Sequence, residues 1–284
     1  MANYSEITAD ALKDNLFQEQ LIQDILIQAQ GYGNLNVPEV VKKVSVVGTD
    51  VKVPLMDAVA VTADLPELVG AEVKSPDFAS ISAKLLADEV KVAFSDEALA
   101  SPNIKNPMEL SIQDAAIGFA RTLDAKIASA LDTTPQTGTA INVTSKSPML
   151  AAAEAAGKLG DYEMTAVVGG QTAIGTLMAG LTSASSRTAG YTVKDGMSYL
   201  DGYNVPIITS TSLEKKASGY IFFVSAKAPA AFVFEGQYKT RTYDAPEKRA
   251  TIYQADVWNA VVGNVRQTSA NLNVGVVKTQ LTSQ

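Results

Sequence analysis

Gly169-Gly170 has residue types and spacing that could bind a phosphate. The pair stands between a β-patterned run and a helical run, where backbone N–H groups at a helix N-terminus can cradle a phosphate. The segment lacks the lysine of a P-loop and the third glycine of a dinucleotide-binding fingerprint. A tight structural turn is therefore the favoured interpretation.

Acidic pairs and a single tryptophan are the next candidates. Carboxylate pairs could bind a hard cation or act as an acid/base dyad, and they lie at Asp88-Glu89, Asp96-Glu97 and Asp161…Glu163. Each pair falls where a helix cap or a strand edge would place it, which favours a solvated surface. Trp258 could stack on a ligand, although its valine and alanine neighbours favour core or interface packing. We expect no catalytic residue, no cofactor and no metal site.

The chain contains no histidine and no cysteine. Histidine is the usual general base and proton shuttle near neutral pH, and cysteine supplies thiolate nucleophiles and metal ligands. A carboxylate base would need its pKa raised by about two to three units. No Gly-x-Ser-x-Gly elbow occurs either. A carboxylate-based enzyme stays an outside alternative.

The net charge and the short basic clusters argue against direct binding of nucleic acid. The net charge is −7, and the basic clusters are short: Lys42-Lys43, Lys215-Lys216 and Lys248-Arg249. Charged residues make up only 19% of the 284, which fits equally a surface partly covered by partners and an ordinary β-rich domain with few charges. The N-terminus does not resemble a secretory signal, and the charge-free run Thr165–Ser186 is too polar for a membrane span.

One long amphipathic helix is predicted in the middle of the chain, from Pro107 to about Leu131. Asn106 suits the N-cap, Pro107 suits the first helical position, and Ile112, Phe119 and Ile127 belong to an apolar stripe at helical spacing. About 25 residues span close to 40 Å. A helix of this length inside a β-rich chain predicts a spine on which strands pack.

The sequence before this helix predicts an arm and a hairpin. Ala9–Gln30 has apolar residues at near-helical spacing. Val44–Val47 and Val51–Leu55 are β-patterned runs that Gly48-Thr49-Asp50 could join as a hairpin. From Met56 to about Lys84 the pattern predicts a protruding two-stranded arm, with a surface loop as the alternative.

The sequence after the helix alternates helices and strands up to about Gly236. It predicts helices at Ala151–Leu159 and Gln171–Leu181, strands at Thr165–Val168, Ile207–Ser210 and Tyr220–Val224, and a small-residue loop at Ser183–Lys194. The remainder is β-patterned again, at Gln237–Tyr243, Ala250–Val265 and Leu272–Val277, with a turn at Ala245–Lys248.

This order of parts resembles the Hong Kong 97-type major capsid protein of tailed bacteriophages and related viruses. Val92–Leu99 ("VAFSDEAL") resembles the family's strand and Ser-x-Glu-x-Leu ahead of the spine helix. Asp201–Thr211 ("DGYNVPIITST") resembles its Leu-x-Gly-x-Pro-Val-type turn, with Val205 and Pro206 transposed. The resemblance covers nearly the whole chain and implies an α+β capsid fold.

The resemblance also implies a division of the chain. The parts are an N-terminal arm (1–36), a peripheral domain in three pieces (37–56, 85–145 with the spine helix 107–131, and 237–284), an extended loop (57–84) and an inserted α/β axial domain (146–236). Contacts between subunits would involve Leu16, Ile22, Ile25, Glu67, Glu72, Lys74, Asp77, Phe78, Arg187, Lys194, Glu247, Lys248 and Arg249.

The implied function is a major capsid protein that assembles into hexamers and pentamers of an icosahedral head in the host cytoplasm. Its partners would be copies of itself, a separate scaffolding protein and a portal, with no membrane. The shell would enclose double-stranded DNA without sequence-specific binding. An encapsulin-type compartment shell and another phage structural protein, such as a tail or decoration protein, are the alternatives.

Overall fold

The computed structural model describes residues 34–46, 50–56, 78–97, 107–134, 140–142, 148–159, 162–183, 190–194, 196–263 and 275–282. The helices in these ranges are α1 (Pro107–Asp132), α2 (Pro148–Leu159), α3 (Gln171–Ser183) and α4 (Thr211–Lys216). The strands are β1 (Val41–Ser45), β2 (Asp50–Met56), β3 (Phe78–Lys84), β4 (Leu86–Ser95), β5 (Ile141–Asn142), β6 (Ala166–Gly169), β7 (Tyr191–Lys194), β8 (Met197–Leu200), β9 (Val205–Thr209), β10 (Tyr220–Val224), β11 (Ala231–Ala245), β12 (Ala250–Gly263) and β13 (Val276–Thr282). The predicted helix Ala9–Gln30 lies outside the described residues.

A four-stranded sheet in the order β1-β11-β12-β4 contains the two longest strands. β11 and β12 have 15 and 14 residues and form an antiparallel hairpin, while β1 pairs in parallel with the first residues of β11. The register shifts between Glu235 and Tyr238. Gly236 lies at this bulge, where a Cβ would stand 3.0 Å from the Cβ of Trp258. Glycine is required there by close packing.

A seven-stranded mixed sheet has the order β5-β13-β10-β6-β9-β8-β7. β10 has the sequence YIFFV, and it is buried on both faces, as a continuous apolar run predicts. Ile221 and Phe223 pack toward α2 and α3, and Phe222 and Val224 pack toward the opposite side.

The long helix α1 lies between the two sheets. Its 26 residues confirm the predicted spine. Ile127 and Leu131 are fully buried in one cluster with Phe222 of the seven-stranded sheet and Val233 of the four-stranded sheet. The apolar stripe therefore holds both sheets, since each sheet needs an apolar partner for its inner face. None of the helices in the described ranges has the length and apolar composition that crossing a membrane requires.

The predicted hairpin through Gly48-Thr49-Asp50 is wrong. β1 pairs in parallel with β11, and β2 pairs antiparallel with β3, so that Asp50 lies opposite Lys84 and Met56 opposite Phe78. Only Met56 and β3 of this pair fall within the predicted two-stranded arm, and residues 57–77 of that arm lie outside the described residues. A turn signal shows where a chain can reverse, whereas strand pairing depends on which edge is available in the sheet.

Two further assignments differ from the prediction. The end of the predicted loop Ser183–Lys194 is strand β7, which pairs with β8. Val276–Thr282 lies in the predicted third piece of the peripheral domain, but it pairs with β10 in the seven-stranded sheet. Residues Ala231–Glu235 lie in the predicted axial domain, but they belong to the four-stranded sheet. The hydrophobic pattern of the sequence predicts a strand, but it does not indicate which other strand it pairs with.

Candidate assembly surfaces

The turn at Gly169-Gly170 is filled by a carboxylate of the protein itself. Glu214 of α4 accepts a hydrogen bond from the Thr172 backbone N–H at 2.9 Å and another from the Thr172 hydroxyl at 2.6 Å. These bonds, led by the hydroxyl, lower the pKa of Glu214. A Cβ on Gly170 would stand 2.9 Å from the Glu214 Cα, so this glycine permits α4 to approach. The Glu214 carboxylate therefore supplies the negative charge that the N-terminus of α3 favours.

The acidic pairs are divided between structural contacts and the surface. Asp88 points toward α1, while Glu89 forms an exposed ion pair with Lys91. Asp96 and Glu97 are exposed. Within the described residues, no group of three or more acidic residues could hold a metal ion.

Trp258 belongs to an apolar cluster on the outer side of the four-stranded sheet. It packs against Leu85, Phe232 and Phe234, and the neighbouring Val51 and Ala83 come from the base of the β2–β3 hairpin. Trp258 therefore has a packing role, which its valine and alanine neighbours in the sequence had favoured over ligand stacking.

Three polar contacts fasten the spine helix to the structure around it. Asp124 is 3% exposed and accepts hydrogen bonds at 2.8 Å from the Leu35 backbone N–H and from the Ser210 hydroxyl, which is the N-cap of α4. Lys126 donates to Asp88 and to Asn259, both at 2.6 Å, and thereby joins α1 to β4 and β12.

The third contact lies at the C-terminal end of the spine. Lys278 of β13 donates to the Asp132 carbonyl at 2.8 Å and to its carboxylate at 3.0 Å. Its ammonium also lies 4.6 Å from the ring centroid of Tyr220. A cation there complements the helix dipole. These contacts join the helix to β4 and β12 of the four-stranded sheet and to β13 of the seven-stranded sheet.

The predicted residues Glu247, Lys248 and Arg249 come together at the tip of the β11–β12 hairpin. They are all exposed in a short 3-10 turn, Pro246–Lys248, and its closing residue. Arg249 has a φ of 44°, a left-handed conformation that costs a non-glycine residue about 1–2 kcal/mol. The Arg249 carbonyl accepts a hydrogen bond from the Asp96 N–H at 3.0 Å, which helps to hold the turn.

The predicted residue Lys194 lies at the tip of a second projection, the β7–β8 hairpin. It is exposed, and its ammonium lies 3.3 Å from the Asn204 amide oxygen. Val193 and Met197 at the same tip are 60% and 54% exposed. Sequence analysis missed both, although the alternation in Tyr191–Lys194 is a strand signal that could have found them.

The other predicted contact residues are not brought together in the described part of the chain. Phe78 begins β3, where its backbone pairs with Met56. The rest lie outside the described residues: Leu16, Ile22, Ile25, Glu67, Glu72, Lys74, Asp77 and Arg187.

A groove of about 620 Å³ lies beside the start of β1. Val41 and Phe232 contribute buried apolar side chains, and Lys42, Lys43 and Lys227 contribute positive charge. Sequence analysis missed this groove because Lys227 is remote from the Lys42-Lys43 pair along the chain.

Comparison with solved structures relates this arrangement to known shells. The capsid of a native GTA particle matches with a TM-score of 0.63 at 12% identity, over 86% of this chain and 89% of that one. The capsid of the cyanophage P-SCSP1u matches with a TM-score of 0.57 at 13% identity, over 100% and 93% of the two chains. The SrpI encapsulin of Synechococcus elongatus PCC 7942 matches with a TM-score of 0.62 at 10% identity, over 84% of each chain.

These likenesses show the fold of the chain. It has the Hong Kong 97-type capsid fold, as its order of elements predicted. No family model matches the sequence, and no curated protein matches it either. Fold similarity at such low identity leaves the function to be argued from the surfaces described above.

Proposed function

We propose that this chain is a major capsid protein that assembles into hexamers and pentamers of an icosahedral head enclosing double-stranded DNA. The observation that carries the proposal is the match, over most of both chains, to the subunits of a GTA particle capsid and a cyanophage capsid.

The exposed surface of the single chain supports self-association. Val193 and Met197 expose apolar side chains at one tip, and Glu247, Lys248 and Arg249 present a charged turn at another. Obligate interfaces bury roughly 2,000–5,000 Å² of surface, which projecting elements can supply when they lie on neighbouring copies. The subunit contacts predicted from the sequence remain part of this proposal.

The acidic balance suits a container for DNA. A net charge of −7 disfavours adhesion to phosphate, so the shell would enclose nucleic acid without binding a particular sequence. The proposed partners are a scaffolding protein and a portal, and the proposed place is the virion, assembled in the host cytoplasm.

Electron microscopy of purified or co-expressed protein tests the proposal. We expect closed shells, or isolated hexamers and pentamers. A monodisperse monomer, even in the presence of a scaffolding partner, would contradict it.

An encapsulin-type shell is the second candidate, and the match to the SrpI encapsulin favours it. Both candidates form closed shells, so genomic context separates them. Terminase and portal genes beside this one support a phage head, whereas a neighbouring gene for a cargo enzyme supports a compartment.

A further inference from the structure

The groove beside β1 carries positive charge that the protein itself does not neutralise. Three lysines line it, Lys42, Lys43 and Lys227, and no carboxylate among the described residues does. Lys42 and Lys227 are exposed and form no ion pair in the described part of the chain. Lys43 lies 3.8 Å from Glu235, which compensates part of its charge. The groove is therefore a local excess of positive charge on a chain whose net charge is −7.

One buried-edge contact holds the two lysine-bearing segments together. The Ala226 N–H donates to the Thr165 hydroxyl at 2.9 Å, and the same hydroxyl donates to the Glu39 carbonyl at 2.8 Å. Ala226 directly precedes Lys227, and Glu39 lies shortly before β1. Because the fold already brings the lysines together, a ligand that contacts both segments does not bear the entropic cost of ordering them.

β1 adds a backbone donor at the same place. It is the last strand of the four-stranded sheet, so within the described residues its second edge is open. The Val46 N–H donates to the Glu235 carbonyl at 3.0 Å on the β11 side, and successive N–H groups of a strand alternate between its two edges. The Lys43 N–H, three residues earlier, therefore faces the open edge. Ammonium and backbone N–H groups are the donors that bind phosphate oxygens in protein–DNA complexes.

We infer that this groove contacts phosphate groups of the enclosed DNA, an inference that rests on the proposed capsid function. The contact would be independent of base sequence, because lysines bound to phosphate carry no base information. It would also assign the groove side of the subunit to the interior of the head.

The acidic net charge is compatible with a local contact of this kind. Charges are screened beyond about 8 Å at physiological ionic strength, so a phosphate in the groove interacts mainly with the three groove lysines. The other basic clusters contain two cations directly after an acid: Glu214 precedes Lys215-Lys216, and Glu247 precedes Lys248-Arg249. Two or three phosphate contacts give much weaker binding than the roughly six to ten of a dedicated DNA-binding protein, which leaves the DNA free to move through the head.

The salt dependence of DNA binding tests the inference. Unassembled full-length chain is titrated with short fluorescent duplexes, and anisotropy gives the binding constant at several salt concentrations. Its logarithm should fall with the logarithm of salt with a slope of about −2 to −3, equally for two unrelated sequences. Lys42→Gln/Lys227→Gln should reduce that slope by about 2 and weaken binding at low salt about tenfold. Lys215→Gln/Lys216→Gln removes the same charge from α4 and is the matched control.

Lysine acetylation of assembled shells tests the assignment to the interior. Shells that hold DNA and shells emptied of it are treated with a small acetylating reagent, and mass spectrometry measures the modification of each lysine. Lys42 and Lys227 should react several-fold more slowly in the filled shells. Lys216, an exposed lysine outside the groove, should change little.

The outcomes separate this inference from the proposed function. Equal salt slopes for the unchanged protein and the groove variant, or an equal loss in the control, would overturn it. The same holds for equal acetylation of the groove lysines in filled and empty shells, or for binding of inorganic tripolyphosphate without binding of the duplex, which would identify a site for small ions. All these results leave the shell function standing if microscopy shows closed shells. A chain that forms no shells contradicts the proposed function, and with it a groove inside a head.

Discussion

The carboxylate of Asp124 and the backbone N–H of Leu35 are hydrogen-bonded at 2.8 Å, although 89 residues separate them in sequence. The second oxygen of the same carboxylate accepts from Ser210. The buried side chain of Asp124 on the spine helix thus holds both the backbone at Leu35 and the N-cap residue of α4, Ser210.

Replacing Asp124 with alanine should destabilise the subunit by about 2–3 kcal/mol, because it leaves the buried Leu35 N–H and the Ser210 hydroxyl without their acceptor. Chemical denaturation of unassembled protein measures this change. Asp114→Ala, at an exposed position of the same helix, is the control and should change stability little. Equal effects of the two substitutions would refute the role assigned to Asp124.

Asp88 and Lys126 should show a coupling free energy of about 1 kcal/mol in a double-mutant cycle, since their contact is partly buried and shared with Asn259. The exposed pair Glu89 and Lys91 is the control and should couple much more weakly in solvent. Coupling that is no stronger for the first pair than for the second contradicts the proposed fastening of α1 to β4.

Gly170→Ala and Gly175→Ala should have opposite effects. The first places a methyl group against the Glu214 backbone and should cost about 1–3 kcal/mol. The second adds a methyl group in open space on an exposed turn of α3 and should stabilise by about 0.5–1 kcal/mol through helix propensity. Thermal unfolding of the two variants measures both signs, and a stabilising Gly170→Ala would show that α4 does not approach as described.

Tyr253 should make the stability of the subunit depend on alkaline pH. It is fully buried, and burial raises the pKa of its phenol above the ordinary value near 10. The unfolded chain therefore ionises first as pH rises, and stability is lost above about pH 10, by about 1.4 kcal/mol per pH unit. The hydroxyl has no hydrogen-bond partner among the described residues, so Tyr253→Phe should be tolerated at neutral pH.

Denaturation curves between neutral and alkaline pH compare Tyr253→Phe with the unchanged protein. The exposed Tyr243 provides the matched control, Tyr243→Phe, which should keep the alkaline loss. An unchanged pH dependence in Tyr253→Phe would exclude this tyrosine as its source.

Arg249→Gly should raise the stability of the subunit by about 1 kcal/mol, because glycine adopts the left-handed conformation without steric cost. The same change should reduce assembly if the side chain contacts another copy, as proposed. The yield of shells measures assembly. An undiminished yield with Arg249→Gly would show that the Arg249 side chain is not part of the proposed interface.

Elements with strong local signals could be predicted from the sequence. The caps and stripe of Pro107–Leu131 predicted α1 to within one residue at its end, since helix formation depends on neighbours three and four positions apart. The apolar run at Tyr220–Val224 predicted β10 for a similar reason. The order of such elements was enough to indicate the capsid fold.

The strand pairings and the composition of the surfaces depend on long-range packing, so they could not be predicted from local patterns. β1 joined β11 in parallel, β2 joined β3, and Val276–Thr282 joined β10, because a strand binds whichever sheet edge buries its apolar face. The groove likewise depends on Lys42 and Lys227 meeting across a long stretch of chain. A local pattern predicts whether a segment forms a helix or a strand. Long-range packing determines which other element that segment pairs with.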